Sequence, residues 1–505
     1  MRTLNRRHTI KSERLLPTGT AFFSAAALPC VPHVLTGVVG PTMIAVVALI
    51  ASVPLLLVLN RFILSRQYLA AFLFGALHGA ILAIGSAWWV WTFRDLPPSI
   101  PFFAAFVASF WFACLFTGAA ILGNLVERAA PVTVRNLLKF SILAMFLTGF
   151  EVLRSTSPDF FMPLGTLALA GAAPFLLPLS AVGGMPLLGL FVWLCNSLAA
   201  VMFLKAASDK TVVAGATGLL GALLVSHMIS ETPKPEDQRQ TISDELGTVC
   251  AYQDTARRDR EDGDYLSQEA LALWVQRAAD TNRCDVLIFP EVSTVVARSE
   301  RTTLSASQWP IDVLAGVRTV DRIEDQAAFV HTYSTNSLCR LQPGPNGLVC
   351  LDRIDKRFLA PFIETQLFHR VGALQGLGLF LTRLMTGDGN TDTTKTNSTT
   401  MDLSSGASVG VLVCLEVFMQ MQKPRDSKGR PLDVSLIVVP TDHSYFPPLG
   451  SMRALMRQAA SAQAAVTGTP VLVVSTEEIA LVASNGSILM PSAVEGELYI
   501  WEIGA

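Results

Sequence analysis

Charge is what this sequence has least of. Asp, Glu, Lys and Arg make up 15% of its 505 residues, against about 25% in a soluble globular chain, while 51% are hydrophobic. A chain wholly solvated by water is thereby excluded. The formal net charge of −2 offers no basic excess, so no nucleic-acid partner is expected. The eight cysteines fall into no zinc or iron–sulfur spacing, and no internal repeat is found.

What is present is an uneven distribution of apolar residues, nearly all of the excess lying before residue 230. Runs of roughly the 20 residues needed to cross a hydrocarbon core occur at about 17–37, 41–60, 68–92, 101–124, 136–153, 183–205 and 211–229. Positive residues cluster before the first run (Arg2, Arg6, Arg7, Lys11, Arg14), after the second (Arg61, Arg66), the fourth (Arg128, Arg135) and the sixth (Lys205, Lys210). Positive charge marks the cytoplasmic side. Seven crossings from a cytoplasmic N-terminus would leave everything after residue 230 outside the cytoplasm; the first run reads alternatively as a cleaved signal peptide. The stretch 160–181 holds three prolines and reads as a loop at the outer surface; if it spans, the count becomes eight and the second half moves inside. Glu151 and Arg154, in "FEVLRS", lie at i and i+3 on one helical face. They are either a functional site at membrane depth or a structural pair in the headgroup region.

At 231–244 the composition turns polar and proline-containing, which reads as a linker. From 245 to 505, strand candidates (284–291, 327–335, 337–342, 347–354, 410–417, 434–442, 470–476) alternate with helical patterns at 266–280 and 450–466. Continuous apolar strands imply a sheet covered on both faces. The expected fold is a multi-helix transmembrane bundle (1–230) followed by an α/β domain, layered α-β-β-α. The loop 386–407 is polar and reads as mobile. Cys339 and Cys350 flank the turn sequence "PGPNG". They are either a disulfide across a hairpin, which an extracytoplasmic domain would permit, or two buried thiols.

Cys414, inside the apolar run "GVLVCLEVF", is by itself either core filler or a nucleophile. The second reading requires a base and an oxyanion donor. Glu291 ends "VLIFPE", and Lys356 follows "CLDRID"; both leave strands for loops. In this order, "LIFPE", "DRIDKRFLAPFIE" and "GVLVCLE" resemble the Glu–Lys–Cys signature of the nitrilase superfamily. With membrane helices before them and "EVLR" near the end of the fifth run, nearly the whole chain resembles apolipoprotein N-acyltransferase. That resemblance implies Glu291 as general base, Lys356 as oxyanion donor, Cys414 as nucleophile, and Glu364 and Glu416 as supporting acids. It implies a phospholipid acyl donor, a diacylglyceryl apolipoprotein acceptor, and no metal or organic cofactor. It also implies a monomer in the bacterial inner membrane with its catalytic domain on the extracytoplasmic side. The apolar segment 371–385 suits a lid dipping into the interface, or an ordinary packed helix. The sequence departs from the family at Leu415, where a Tyr is usual, at "TDHSYF" (441–446) and at "STEEIA" (475–480), which touches specificity. A membrane-tethered amidase acting on a small molecule, and a catalytically silent membrane scaffold, are the other readings.

Overall fold

The computed structural model describes residues 19–86, 99–131, 134–156, 166–204, 209–230, 235–255, 266–280, 284–295, 309–326, 329–344, 347–357, 389–392, 398–414, 416–419, 423–426, 428–443 and 450–501. The N-terminal half is helical: α1 (Gly19–Ala27), α2 (Val31–Val34), α3 (Pro41–Ala51), α4 (Val53–Ser65), α5 (Tyr68–Ser86), α6 (Ser99–Ala129), α7 (Arg135–Thr156), α8 (Leu167–Ala170), α9 (Leu177–Phe203) and α10 (Asp209–Ile229). Six described helical segments are long and apolar enough to cross a bilayer, α3 and α4 together forming one of them, Pro41–Ser65. These match six of the seven expected runs. The first run is a shorter apolar helix, Thr20–Val34, bent where Pro29 and Pro32 interrupt it. Its described part covers roughly 22 Å at 1.5 Å per residue. Small residues set the closest packing in the bundle. A Cβ on Gly75 or Gly79 of α5 would lie 2.3 Å from Phe112 O or 2.4 Å from Ala108 O of α6, the close backbone approach that a Gly-x-x-x-Gly spacing permits.

The C-terminal half adds α11 (Pro235–Leu246), β1 (Val249–Tyr252), α12 (Gln268–Asp280), β2 (Val286–Ile288), β3 (Thr294–Val295), β4 (Asp312–Gln326), β5 (Phe329–Gly344), β6 (Gly347–Asp355), β7 (Gly389–Asp392), β8 (Thr400–Asp402), β9 (Ser408–Val411), α13 (Glu416–Met419), β10 (Leu436–Thr441), α14 (Gly450–Thr467), β11 (Val471–Ser475), β12 (Ile479–Val482), β13 (Ile488–Leu489), β14 (Ala493–Glu495) and β15 (Leu498–Trp501). One sheet runs β14-β15-β1-β2-β4-β5-β6, with β3 beside β4 and β7 beside β5; the other runs β13-β12-β11-β10-β9-β8.

Alternation along each strand builds the layers. Ala251, Ile288 and Leu314 of the first sheet meet Val411, Val438 and Leu472 of the second in one core. Their neighbours Cys250, Leu287 and Val313 face away and pack on Leu271, Val275 and Ala278 of α12. On the far side of the second sheet, Ile437, Val439 and Val473 pack on Met452, Met456 and Ala459 of α14. The expected α-β-β-α sandwich is therefore observed. Beyond α14 the bundle begins: Ala462 and Ala465 join its core, while Leu169 and Met185 join the cluster under the second sheet.

Three details differ from the sequence reading. Most of the expected linker 231–244 belongs to the helix α11, Pro235–Leu246. Pro235 starts it where no N–H is needed, Ile242 and Leu246 enter the sandwich core, and Gln238 donates to Ser484 at 2.6 Å. The strand candidates at 327–335 and 337–342 are one strand, β5. The loop 386–407 contains β7, which pairs with β5, and β8, which pairs with β9. Cys339 and Cys350 are bonded across the β5–β6 hairpin, and a second disulfide joins Cys250 to Cys284 across β1 and the entry to β2.

Candidate active site

The parallel strands β2, β9 and β10 end on the same side of the sandwich, where open α/β sheets characteristically hold ligands. Past the end of β2, Pro290 supplies no N–H and the ladder stops. Val292 has a φ of 52°, a conformation that costs a non-glycine residue about 1–3 kcal/mol. The surroundings hold it there. Gly316 N donates to Pro290 O at 3.1 Å, Ser293 N to Gly316 O at 2.7 Å, and Ser293 Oγ to Pro290 O at 2.7 Å. A Cβ on Gly316 would fall 2.4 Å from Glu291 Cα, so glycine is what lets β4 approach this turn.

The turn delivers Glu291, which is 4% exposed. Its Oε1 accepts from Lys356 Nζ at 2.8 Å and Asn336 Nδ2 at 2.7 Å; its Oε2 accepts from the Asp442 N–H at 3.2 Å. Lys356 follows β6 and is equally buried. Its N–H donates to Asn336 O at 2.8 Å, so Asn336 of β5 holds the lysine backbone and the glutamate side chain together. A buried ion pair of this kind adds little net stability, but deleting one partner costs roughly 3–5 kcal/mol.

Cys414 is not within a strand, as the run 410–417 suggested. β9 ends at Val411, and α13 begins at Glu416. Leu412 N and Cys414 N still donate to Val438 O (3.0 Å) and Pro440 O (2.8 Å) of β10, but Cys414 has a φ of 52° and turns the chain out of the sheet. Glu416 locks the turn: its Oε2 accepts from Val413 N at 2.9 Å, and its Oε1 from Arg357 N at 2.5 Å. Glu416 thereby ties the cysteine turn to the residue after Lys356. Opposite it, the Thr441 hydroxyl donates to Cys414 Sγ at 3.4 Å. Thr441 and Asp442 are consecutive, their Cα atoms about 3.8 Å apart; one bonds the sulfur and the next bonds Glu291. Cys414, Glu291 and Lys356 are thus tied to one backbone step. A thiol, a carboxylate and an ammonium at one strand edge can support nucleophilic acyl chemistry.

Glu364, Leu415 and the segment 371–385 lie outside the described residues. Among those described, no group of three or more His, Cys, Asp and Glu is placed to hold a metal.

Glu151 and Arg154 are not brought to this site. Glu151 Oε1 accepts from Leu167 N at 3.0 Å, at the start of α8, and from Trp193 Nε1 at 3.3 Å. Arg154 is buried, its guanidinium 5.4 Å over the Phe112 ring. Glu151 lines a cavity with Thr148, Leu169, Met185 and Phe418, the last from α13.

Residues 34–198 match the apolipoprotein N-acyltransferase N-terminal domain. The resemblance read from the sequence therefore holds over these residues, and the six membrane-capable helices fit a multi-pass membrane protein. Solved structures similar to part of the chain include two proteins. An amidase from Nesterenkonia sp. is 14% identical, covering 50% of this chain and 89% of its own, with a TM-score of 0.28. Nit3 of Saccharomyces cerevisiae is 13% identical, covering 51% and 89%, with a TM-score of 0.26. No curated protein sequence matches the chain.

Asn336, Thr441, Asp442 and Gly316 were not singled out from the sequence. "TDHSYF" stood out there only as a departure from the family, and Asn336 falls in the one-residue gap between two strand candidates.

Proposed function

We propose that the chain is a membrane N-acyltransferase that moves a fatty acyl group from a phospholipid, through a thioester on Cys414, to the N-terminal amine of S-diacylglyceryl-cysteine apolipoproteins. The observation that carries this reading is the Glu291 carboxylate. It accepts from Lys356 and from the amide next to the residue that holds the Cys414 sulfur, in a chain whose membrane half matches the acyltransferase N-terminal domain.

Glu291 takes the proton of the Cys414 thiol as the sulfur attacks the ester carbonyl. Lys356 donates to the resulting oxyanion. Collapse breaks the acyl C–O bond, Glu291 returns the proton to the departing lysophospholipid oxygen, and the acyl group stays on sulfur. The acceptor amine then attacks the thioester and gives a proton to Glu291. The C–S bond breaks, and the proton goes back to the sulfur. Asn336 and Glu416 hold the carboxylate and the cysteine turn in register throughout.

The positive residues that follow alternate membrane runs and the two disulfides, which persist in oxidising compartments, both support a catalytic half on the extracytoplasmic face of the inner membrane. There both lipid-anchored substrates can reach it laterally. The test is transfer. With phospholipid vesicles and a diacylglyceryl-cysteine peptide, the protein should add one acyl chain to the peptide's α-amine, detected by mass. A peptide left unmodified while a small amide is hydrolysed at Cys414 would replace the transferase reading with the amidase one.

A further inference from the structure

We propose that Thr441 is a fourth working member of this site, setting the pH at which Cys414 becomes a nucleophile. The inference rests on the reading of Cys414 as nucleophile but assigns a role that reading does not contain.

The geometry is specific. Thr441 is the last residue of β10, its backbone in register with Ser475 of β11, and it is fully buried. Its neighbour Pro440 accepts the Cys414 N–H at 2.8 Å, so the ladder between the two chain ends fixes the cysteine backbone against β10. From there the hydroxyl reaches Sγ at 3.4 Å. A hydroxyl can donate or accept, but a thiolate can only accept. Ionisation of the sulfur therefore turns this contact into a charge-assisted hydrogen bond, the stronger kind. The donor favours the charged form, the direction in which hydrogen bonding to an ionised group acts.

The bond has a second consequence. When Cys414 forms the thioester, its sulfur loses the charge, and the bond weakens with it. Thr441 thus favours the thiolate, formed as Glu291 takes the proton, over the acylated sulfur, and assists again when the thiolate departs in the second half-reaction.

The strength of a hydrogen bond to a charged group, set against the free energy of one pKa unit, gives a shift of about one pH unit. Removing the hydroxyl would leave about one-tenth of the thiolate at neutral pH. A thiolate of higher basicity is roughly threefold more nucleophilic for such a change, so the net loss in reactivity should be about threefold.

The experiment is the pH profile of Cys414 alkylation by iodoacetamide in the full-length, membrane-reconstituted protein. The Cys414 peptide is quantified by mass spectrometry, because Cys30, Cys114 and Cys195 are also free. Thr441→Val, nearly isosteric and lacking the hydroxyl, should move the midpoint up by about one unit and slow alkylation at pH 7 about threefold. Thr441→Ser, which keeps the hydroxyl, should keep the midpoint. A Val midpoint coincident with that of the unchanged protein would overturn the proposal. So would a Ser variant that shifts as far as Val, since the hydroxyl would then not be the cause. Thr441→Val preparations are compared at matched melting temperature. If the unchanged protein's Cys414 is not alkylated at any pH, the nucleophile reading itself fails, and this one with it.

Discussion

Glu151 with Arg154 in the bundle, and Glu291 with Lys356 in the sandwich, each set an acid and a base in apolar surroundings, yet their environments diverge. Glu291 takes its hydrogen bonds from a lysine ammonium, an asparagine side chain and an amide that follows β10. These donors come from distant parts of the chain and converge where three strands end beside a thiol. Glu151 takes its own from the first amide of a four-residue helix and from an indole in the next membrane helix. Those donors join α7 to α8 and α9. Burial of an ionisable group is common to both pairs. Convergence of unlike groups on one strand edge belongs to the second alone.

The largest effects should come from breaking the second pair. Cys414→Ser should abolish acyl transfer. Glu291→Gln should lower its rate by about 10²–10⁴, the range of a general base, and Lys356→Met by about 10²–10³, the range of an oxyanion donor. Rates measured with labelled phospholipid check all three, and a loss below tenfold for Glu291→Gln would deny it that role. Gly316→Ala should come next. Its methyl would meet Glu291 Cα at 2.4 Å, and a misplacement near 1 Å costs about a hundredfold; the rate should fall while the disulfides still form.

Altering the first pair should do less to the rate and more to the fold. Glu151→Ala removes the carboxylate that accepts the Leu167 amide, beside the Thr166 cap of α8, and should cost about 0.5–1.5 kcal/mol, as a lost hydrogen bond does, read as a lowered melting temperature. Glu151→Gln keeps an accepting oxygen and should hold the rate within a few-fold. A thousandfold loss in the Gln variant would erase the contrast between the two pairs. The smallest effect expected is at Glu478, whose carboxyl is pushed up by burial although Arg457 lies 3.1 Å away and pulls it down. A raised carboxyl holds its proton longer when folded, so its penalty is absent below the ordinary carboxylate range and appears as pH rises past the folded value. Glu478→Gln should therefore match the unchanged protein in melting temperature near pH 4 and exceed it by about 1–2 °C at pH 7.

The architecture was legible because hydrophobic length and alternation are local signals. Runs of about 20 apolar residues marked the bundle, and continuous apolar strands marked a sandwich covered on both faces. The linker reading of 231–244 failed because α11 is polar along most of its length, although Gln238, Ile242 and Leu246 bury. The cysteine turn was misread as strand because Val411, Leu412 and Val413 continue the apolar pattern; the turn at Cys414 is held by Glu416, which accepts from Val413 N nearby and from Arg357 N, 59 residues away. Cys339 and Cys350 flank a turn, so their pairing was conceivable from spacing. Cys250 and Cys284 meet only because β1 and β2 are parallel neighbours. Asn336 and Thr441 carry no sequence signature, since each acts through a side chain aimed at a residue far along the chain.

The central claim is that Cys414 carries the acyl group. Incubating the reconstituted protein with labelled phospholipid, without acceptor, tests it most directly. The account predicts a labelled adduct on the Cys414 peptide that hydroxylamine removes and that Cys414→Ser lacks. Label that survives in Cys414→Ser, or a protein left unlabelled in every phospholipid composition, would contradict it.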